Sequence, residues 1–128
     1  MFNIFRKKKP VELTDEEKSW NKLWELYDSG ELDDIDHGIY CLCEYDSGVN
    51  GEGHSGFFCN SDNCDTLDDL IGTLKTVLPE SHRLNLMTAY EAYETDNEDD
   101  VCEKADDFFY DNEEDILEIL QSFADNLE

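Results

Sequence analysis

The stretch that decides the fold is Ser47–Ser61, SGVNGEGHSGFFCNS. Four glycines and two asparagines surround a pair of phenylalanines. A phosphate-cradling loop would follow a strand and end in Gly-Lys-Ser or Gly-Lys-Thr. This stretch has neither feature. It reads instead as a turn between helices. Its glycines allow positive φ where a helix stops, and Asn50 and Asn60 can bond nearby backbone groups or cap a short helix. Phe57 and Phe58 then anchor the turn in a core.

Helical spacing extends outward on both sides. Thr14 with Glu17 forms a capping box, and Trp20, Leu23, Trp24 and Tyr27 follow at i, i+3, i+4, i+7 before Gly30. A second segment takes Asp33 or Asp34 as its cap and Ile35, Ile39, Leu42 and Cys43 as its apolar stripe, ending at Gly48. Beyond the turn, Thr66 with Asp69 predicts another capping box, with Leu67, Leu70, Ile71, Leu74 and Leu78 buried. Pro79 closes that helix and opens the next, which carries Leu86, Met87, Tyr90 and Tyr93. After the polar break ETDNEDD, Val101, Ala105, Phe108 and Phe109 mark a fifth helix. Asp111 or Asn112 caps a sixth, built on Ile116, Leu117, Leu120, Phe123, Ala124 and Leu127. No segment alternates with period two. The expected fold is an all-α, compact bundle of about six helices in one domain.

The charge is extreme and uneven. The formal net charge is −25 over 128 residues. Residues 1–10 hold four of the nine basic residues and no acid, so they form a basic, apolar-tipped N-terminal segment. Residues 11–128, the acidic domain, carry five basic against 34 acidic residues, a net of −29. Residues 91–128 alone hold 16 acids and a single lysine, Lys104. Direct nucleic-acid binding is excluded, since phosphate affinity requires Lys and Arg. A basic protein partner is favoured by the same physics with the sign reversed. The alternative reading of the charge is solubility alone.

MFNIFRKKKP lacks the hydrophobic region of a secretory signal. The simpler expectations for it are a loose terminus or one folded onto the acidic body, since one short basic patch gives weak membrane attachment. A cytoplasmic location is expected. The odd cysteine count (Cys41, Cys43, Cys59, Cys64, Cys102) points to reduced thiols. Cys41-x-Cys43 and Cys59-x4-Cys64 do not make a zinc site. Residues two apart on a helix project about 200° apart, and zinc pairs usually have two to four residues between ligands. Neither Asp96–Asp107 nor Asp46–Phe57 meets the glycine-6, glutamate-12 rule of an EF-hand loop. His37, His54 and His82 have no nucleophile motif beside them. No cofactor, metal or catalytic residue is expected.

The stretch VNGEGHSGFFCNS resembles a pattern of bacterial DNA-mimic proteins and their relatives, V-N-N-G-G-F-x-Q-F-F-x-N-S. Val49, Asn50, Gly53, Phe57, Phe58, Asn60 and Ser61 match it, while Gly51, Glu52, His54 and Gly56 depart. The resemblance covers roughly residues 34–109. It implies an all-α domain without catalytic machinery, whose named members imitate the charge of DNA and occupy the DNA-binding face of a helix-turn-helix regulator. On that reading the partner is a basic protein, a DNA-binding regulator, and the contact surface is carboxylate-rich. The candidate contacts are Glu91, Glu94, Asp99, Asp100, Glu103, Asp106, Asp107, Glu113, Glu114 and Glu118. An immunity protein that neutralises a basic toxin such as a nuclease is the second reading of the same composition. Oligomeric state is not legible.

Overall fold

The computed structural model of the chain describes residues 13–127; the N-terminal segment 1–10 lies outside them. Six helices follow in order: α1 (Asp15–Ser29), α2 (Glu31–Ile35), α3 (His37–Asn63), α4 (Leu67–Val77), α5 (Glu80–Glu94) and α6 (Glu98–Asp125). The domain is all-α. The two long helices, α3 and α6, pack on each other; α4 covers α3, α1 lies on α6, and α5 touches both. α2 joins α1 to α3.

The start of α1 follows its sequence. Thr14 Oγ1 accepts from the Glu17 N–H at 3.1 Å, and the Glu17 carboxylate accepts from the Thr14 N–H at 2.8 Å. Gly30 ends the helix at φ 87°. Leu23 and Leu26 are buried there, with Trp20, Trp24 and Tyr27 half-buried in an edge-to-face series.

The second segment departs from expectation. Its cap is Asp36, whose carboxylate accepts from the Ile39 N–H at 3.1 Å, not Asp33 or Asp34. Ile35 ends α2 and is 52% exposed, so it leaves the apolar stripe. Beyond Asp36, Ile39, Leu42 and Cys43 are buried as the spacing requires.

The largest correction concerns Ser47–Ser61. It is not a loop; α3 runs through it with one break, at Gly53 (φ 73°, ψ 178°). Glycine costs about 1 kcal/mol relative to alanine inside a helix, which argues locally against this. Burial decides otherwise: Val49, His54, Phe57 and Phe58 are all within 4% of full burial, and each large apolar side chain contributes about 1.5–3 kcal/mol. Gly48 also allows a close approach, since a Cβ there would fall 2.6 Å from the Phe57 ring.

Two further caps differ. Thr66 sits at the start of α4 but makes no capping box; its hydroxyl donates backward to the Ser61 carbonyl at 3.2 Å. The expected fifth and sixth helices are one, α6, which breaks without ending at Asn112 (φ −124°, ψ 15°). Asn112 Nδ2 donates to the Phe108 carbonyl behind it, at 2.9 Å, and caps nothing ahead. The buried His82 on α5 braces this break, donating from Nε2 to the Asn112 carbonyl at 3.0 Å.

Gly53 and Gly72 should therefore answer alanine substitution in opposite directions. Gly53 adopts a backbone region that is essentially glycine-only, and a Cβ there would lie 2.6 Å from Asp106 Oδ2. Gly53→Ala should lower unfolding free energy by about 2 kcal/mol or more in urea titration. Gly72 lies inside α4 with nothing within 4 Å of an added Cβ. Gly72→Ala should raise stability by about 0.5–1 kcal/mol in the same assay.

Candidate functional site

The break in α3 creates the inner half of the site. Residues after Gly53 start a new helical run, and their leading N–H groups have no partner within the helix. Asp106, from α6, supplies one. Its Oδ1 accepts the His54 backbone N–H at 2.8 Å and pairs with His54 Nδ1 at 2.6 Å. The other ring nitrogen, Nε2, lies 2.6 Å from the Tyr45 hydroxyl. The network assigns the proton to Nδ1, with Tyr45 donating to Nε2. Burial holds the His54 imidazole below its usual pKa, against the opposing pull of Asp106. Burial likewise raises the Tyr45 phenol, so both rings are neutral at pH 7. Tyr45 and His54 are fully buried among Phe57, Phe58 and Phe109.

Val49, Asn50, Phe57, Phe58, Asn60 and Ser61 lie around this break. Asn50 Nδ2 donates to the Asp46 carbonyl at 2.8 Å and to Glu113 Oε2 at 2.7 Å. The Val49 carbonyl accepts from the Tyr110 hydroxyl at 3.1 Å. Asn60 Nδ2 donates to Glu52 at 2.8 Å, and the Ser61 carbonyl accepts from the Thr66 backbone at 3.0 Å. Phe57 and Phe58 pack in the core.

The outer half is the acidic surface. Of the ten carboxylates nominated above, Glu91, Glu94, Asp99, Asp100, Glu103, Asp107, Glu114 and Glu118 are exposed. The other two turn inward: Asp106 to His54, and Glu113 to Asn50. Asp99, Glu103, Asp107, Asp111 and Asp115 form an exposed row at four-residue spacing along α6. Neighbours in that row are about 6 Å apart along the axis. Asp111 reads from the sequence as a helix cap, and neither it nor Asp115 was among the nominated contacts. The i, i+4 spacing was the available signal.

A second acidic feature is assembled only by the fold. The turns after α3 and after α5 meet at a cleft of about 730 Å³. Asp62, Asp65, Asp68, Glu94 and Asp96 line it with Tyr90 and Tyr93. The Tyr90 hydroxyl donates to Asp68 at 3.2 Å and that of Tyr93 to Asp62 at 3.3 Å. Asp65 and Asp96 adopt left-handed backbone, φ 59° and 60°, just past the two helix ends. Both helix C-termini carry partial negative charge, and neither last turn has a basic residue. Of these five carboxylates, only Glu94 was among the nominated contacts.

Little of this charge is neutralised internally. Among the described residues, the one lysine or arginine ion pair is Arg83 with Glu80, at 3.9 Å. Cys41, Cys43 and Cys102 are buried, and burial pushes the Cys41 thiol up to about 11 and Cys43 up to about 12. No group of three or more His, Cys, Asp or Glu among the described residues is placed to hold a metal ion. No helix among them is long and apolar enough to cross a membrane.

Fold and surface thus define an acidic all-α domain with most of its described carboxylates turned to solvent. Residues 30–127 match the family model of DMP19-like proteins, and the chain belongs to that family. The match runs past the 34–109 range of the resemblance and takes in all of α6. Comparison with curated proteins and with solved structures yields no significant match.

Asp46 gives a pH test of the inner half. It is 6% exposed, one of its oxygens has no partner, and Glu113 faces it. Burial, then the hydrogen bond and charge of Glu113, push its carboxyl up to about 7. Between the unfolded carboxylate range near pH 4 and pH 7, the folded protein holds a proton that the unfolded chain has lost. This contribution to stability is therefore full below about pH 4 and lost as pH rises through 7. Asp46→Asn mimics the protonated carboxyl. Its advantage over wild type should grow by at least about 1 kcal/mol between pH 5 and pH 8 in denaturant titrations. An advantage independent of pH would show that Asp46 is not the titrating group.

Proposed function

We propose that this protein is a DNA mimic, binding a basic DNA-binding protein without catalysis. The observation that carries this reading is the outward carboxylate surface of α6, paired with no lysine or arginine among the described residues, in a member of the DMP19-like family. Twelve of the 28 residues of α6 are acidic. At about 1.5 Å rise per residue the helix is about 42 Å long, and nine of these acids are exposed, one per about 4.7 Å. One strand of duplex DNA presents a phosphate per about 3.4 Å of axis. The exposed acids of α6 are thus somewhat sparser than the phosphates of one strand, and the cleft at Asp62, Asp65, Asp68, Glu94 and Asp96 extends the negative surface beyond α6.

The chemistry of recognition follows from the charge. Lysines and arginines that normally meet phosphates would pair with carboxylates, and arginine can do so with two parallel hydrogen bonds. Tyr90 and Tyr93 add aromatic faces at the cleft, where a cation can sit over a ring. Such an interface forms fast at low salt and weakens as salt rises.

The test uses capture from cell extract followed by competition. Wild-type protein should retain a DNA-binding protein that duplex DNA displaces. A variant with Asp99→Asn, Glu103→Gln, Asp107→Asn and Asp111→Asn should bind that partner at least tenfold more weakly, with a shallower salt dependence. A retained partner that duplex DNA does not displace, or one indifferent to the four substitutions, would contradict the proposal.

A further inference from the structure

On the side of α6 facing α1 lies a groove of about 830 Å³ that differs from the acidic cleft in its chemistry. Leu13, Trp20 and Leu117 give it an apolar lining, and Glu16, Glu114 and Glu118 give it charge. Gln121 holds the two helices in register here, donating to the Glu16 carbonyl at 3.2 Å. Leu13 is 44% exposed, and Trp20 is only half-buried. An indole left partly open between two helices, ringed by carboxylates, fits an occupant that is apolar and cationic together.

We propose that the occupant is the N-terminal segment of this same chain, residues 1–12, with Phe2, Ile4 and Phe5 in the groove and Arg6–Lys9 against its glutamates. Three observations carry this. The described chain begins at Leu13, which itself lines the groove, so the segment is tethered at the site. The composition matches: Phe2, Ile4 and Phe5 stand immediately before four consecutive basic residues, the longest basic run in the sequence. The reach also matches, since seven residues separate Phe5 from Leu13 and extended chain spans at most about 3.3–3.6 Å per residue.

Tethering sets the preference among occupants. A segment fixed at the rim acts at an effective concentration in the millimolar range, so a weak apolar and ionic contact fills the groove ahead of a free basic peptide. The same carboxylates disfavour an anionic lipid surface as the partner of this face. Glu114 and Glu118 belong to the surface nominated for partner binding, so a docked segment shields part of it with the chain's own cations.

The full-length chain provides the test, by nuclear Overhauser contacts in labelled protein. Contacts should appear between the side chains of Phe2, Ile4 or Phe5 and the Trp20 indole or Leu117 methyls. They should persist on dilution. Reversing the charge at Arg6, Lys7, Lys8 and Lys9 to glutamate changes no residue of the described fold. It should shift the Trp20 indole resonance and speed amide exchange of residues 4–6 by at least threefold. Leu117→Glu should abolish the same contacts. The proposal is overturned if the contacts are absent and the charge-reversed spectrum superimposes on wild type. It is also overturned if they arise only between differently labelled chains, which would make a second copy the occupant.

Discussion

Asp106 Oδ1 accepts both the backbone N–H and the ring Nδ1–H of His54, and it does so where α3 breaks. A broken helix inside a core leaves donors that water cannot reach, and each would cost about 1–3 kcal/mol unmet. A carboxylate from the facing helix meets two at once, with charge-assisted bonds. Every other feature of the centre leans on this contact. It fixes the tautomer of His54, which lets Tyr45 donate to Nε2, and it orients the ring against Phe58 and Phe109. It also sets the rotation of α6. With Asp106 turned toward α3, Asp107 and its i, i+4 neighbours Glu103 and Asp111 are left on the exposed side.

The surface runs against local helix rules. Of the helices, only α4 has a basic residue in its last turn. Acids at helix C-termini and rows of like charge at four-residue spacing each cost tenths of a kcal/mol. The core offsets that cost through the burial of twelve large side chains to less than 2% exposure. Places where a sequence contradicts its own helix preferences are where function is expected to lie. Here that is the outer face of α6 and the cleft between the turns after α3 and α5.

Much of the bundle is legible from pattern alone. The Thr14–Glu17 box, the Gly30 stop and the break near Asp96 depend on residues close in sequence, and the structure shows each. Ser47–Ser61 is different. Four glycines there signal a turn by local propensity, and the deciding interaction comes from Asp106, 52 residues away. No local pattern encodes that partner. Asn112 misleads for the mirror reason: it reads as a cap, while its side chain bonds the turn behind it and His82 braces its carbonyl from α5. The charge of the surface is visible in composition. The cleft of Asp62, Asp65, Asp68, Glu94 and Asp96 is not, because its members are up to 34 residues apart and meet only when two helix ends converge.

The central claim is that one carboxylate closes the break in α3 and thereby fixes α6. Amide hydrogen exchange at His54 tests it most directly. A backbone N–H held by Asp106 should exchange only through global unfolding, at a rate matching the core amide of Phe109. Exchange of His54 at the fast rate of a helix end, with Phe109 still protected, would contradict the account.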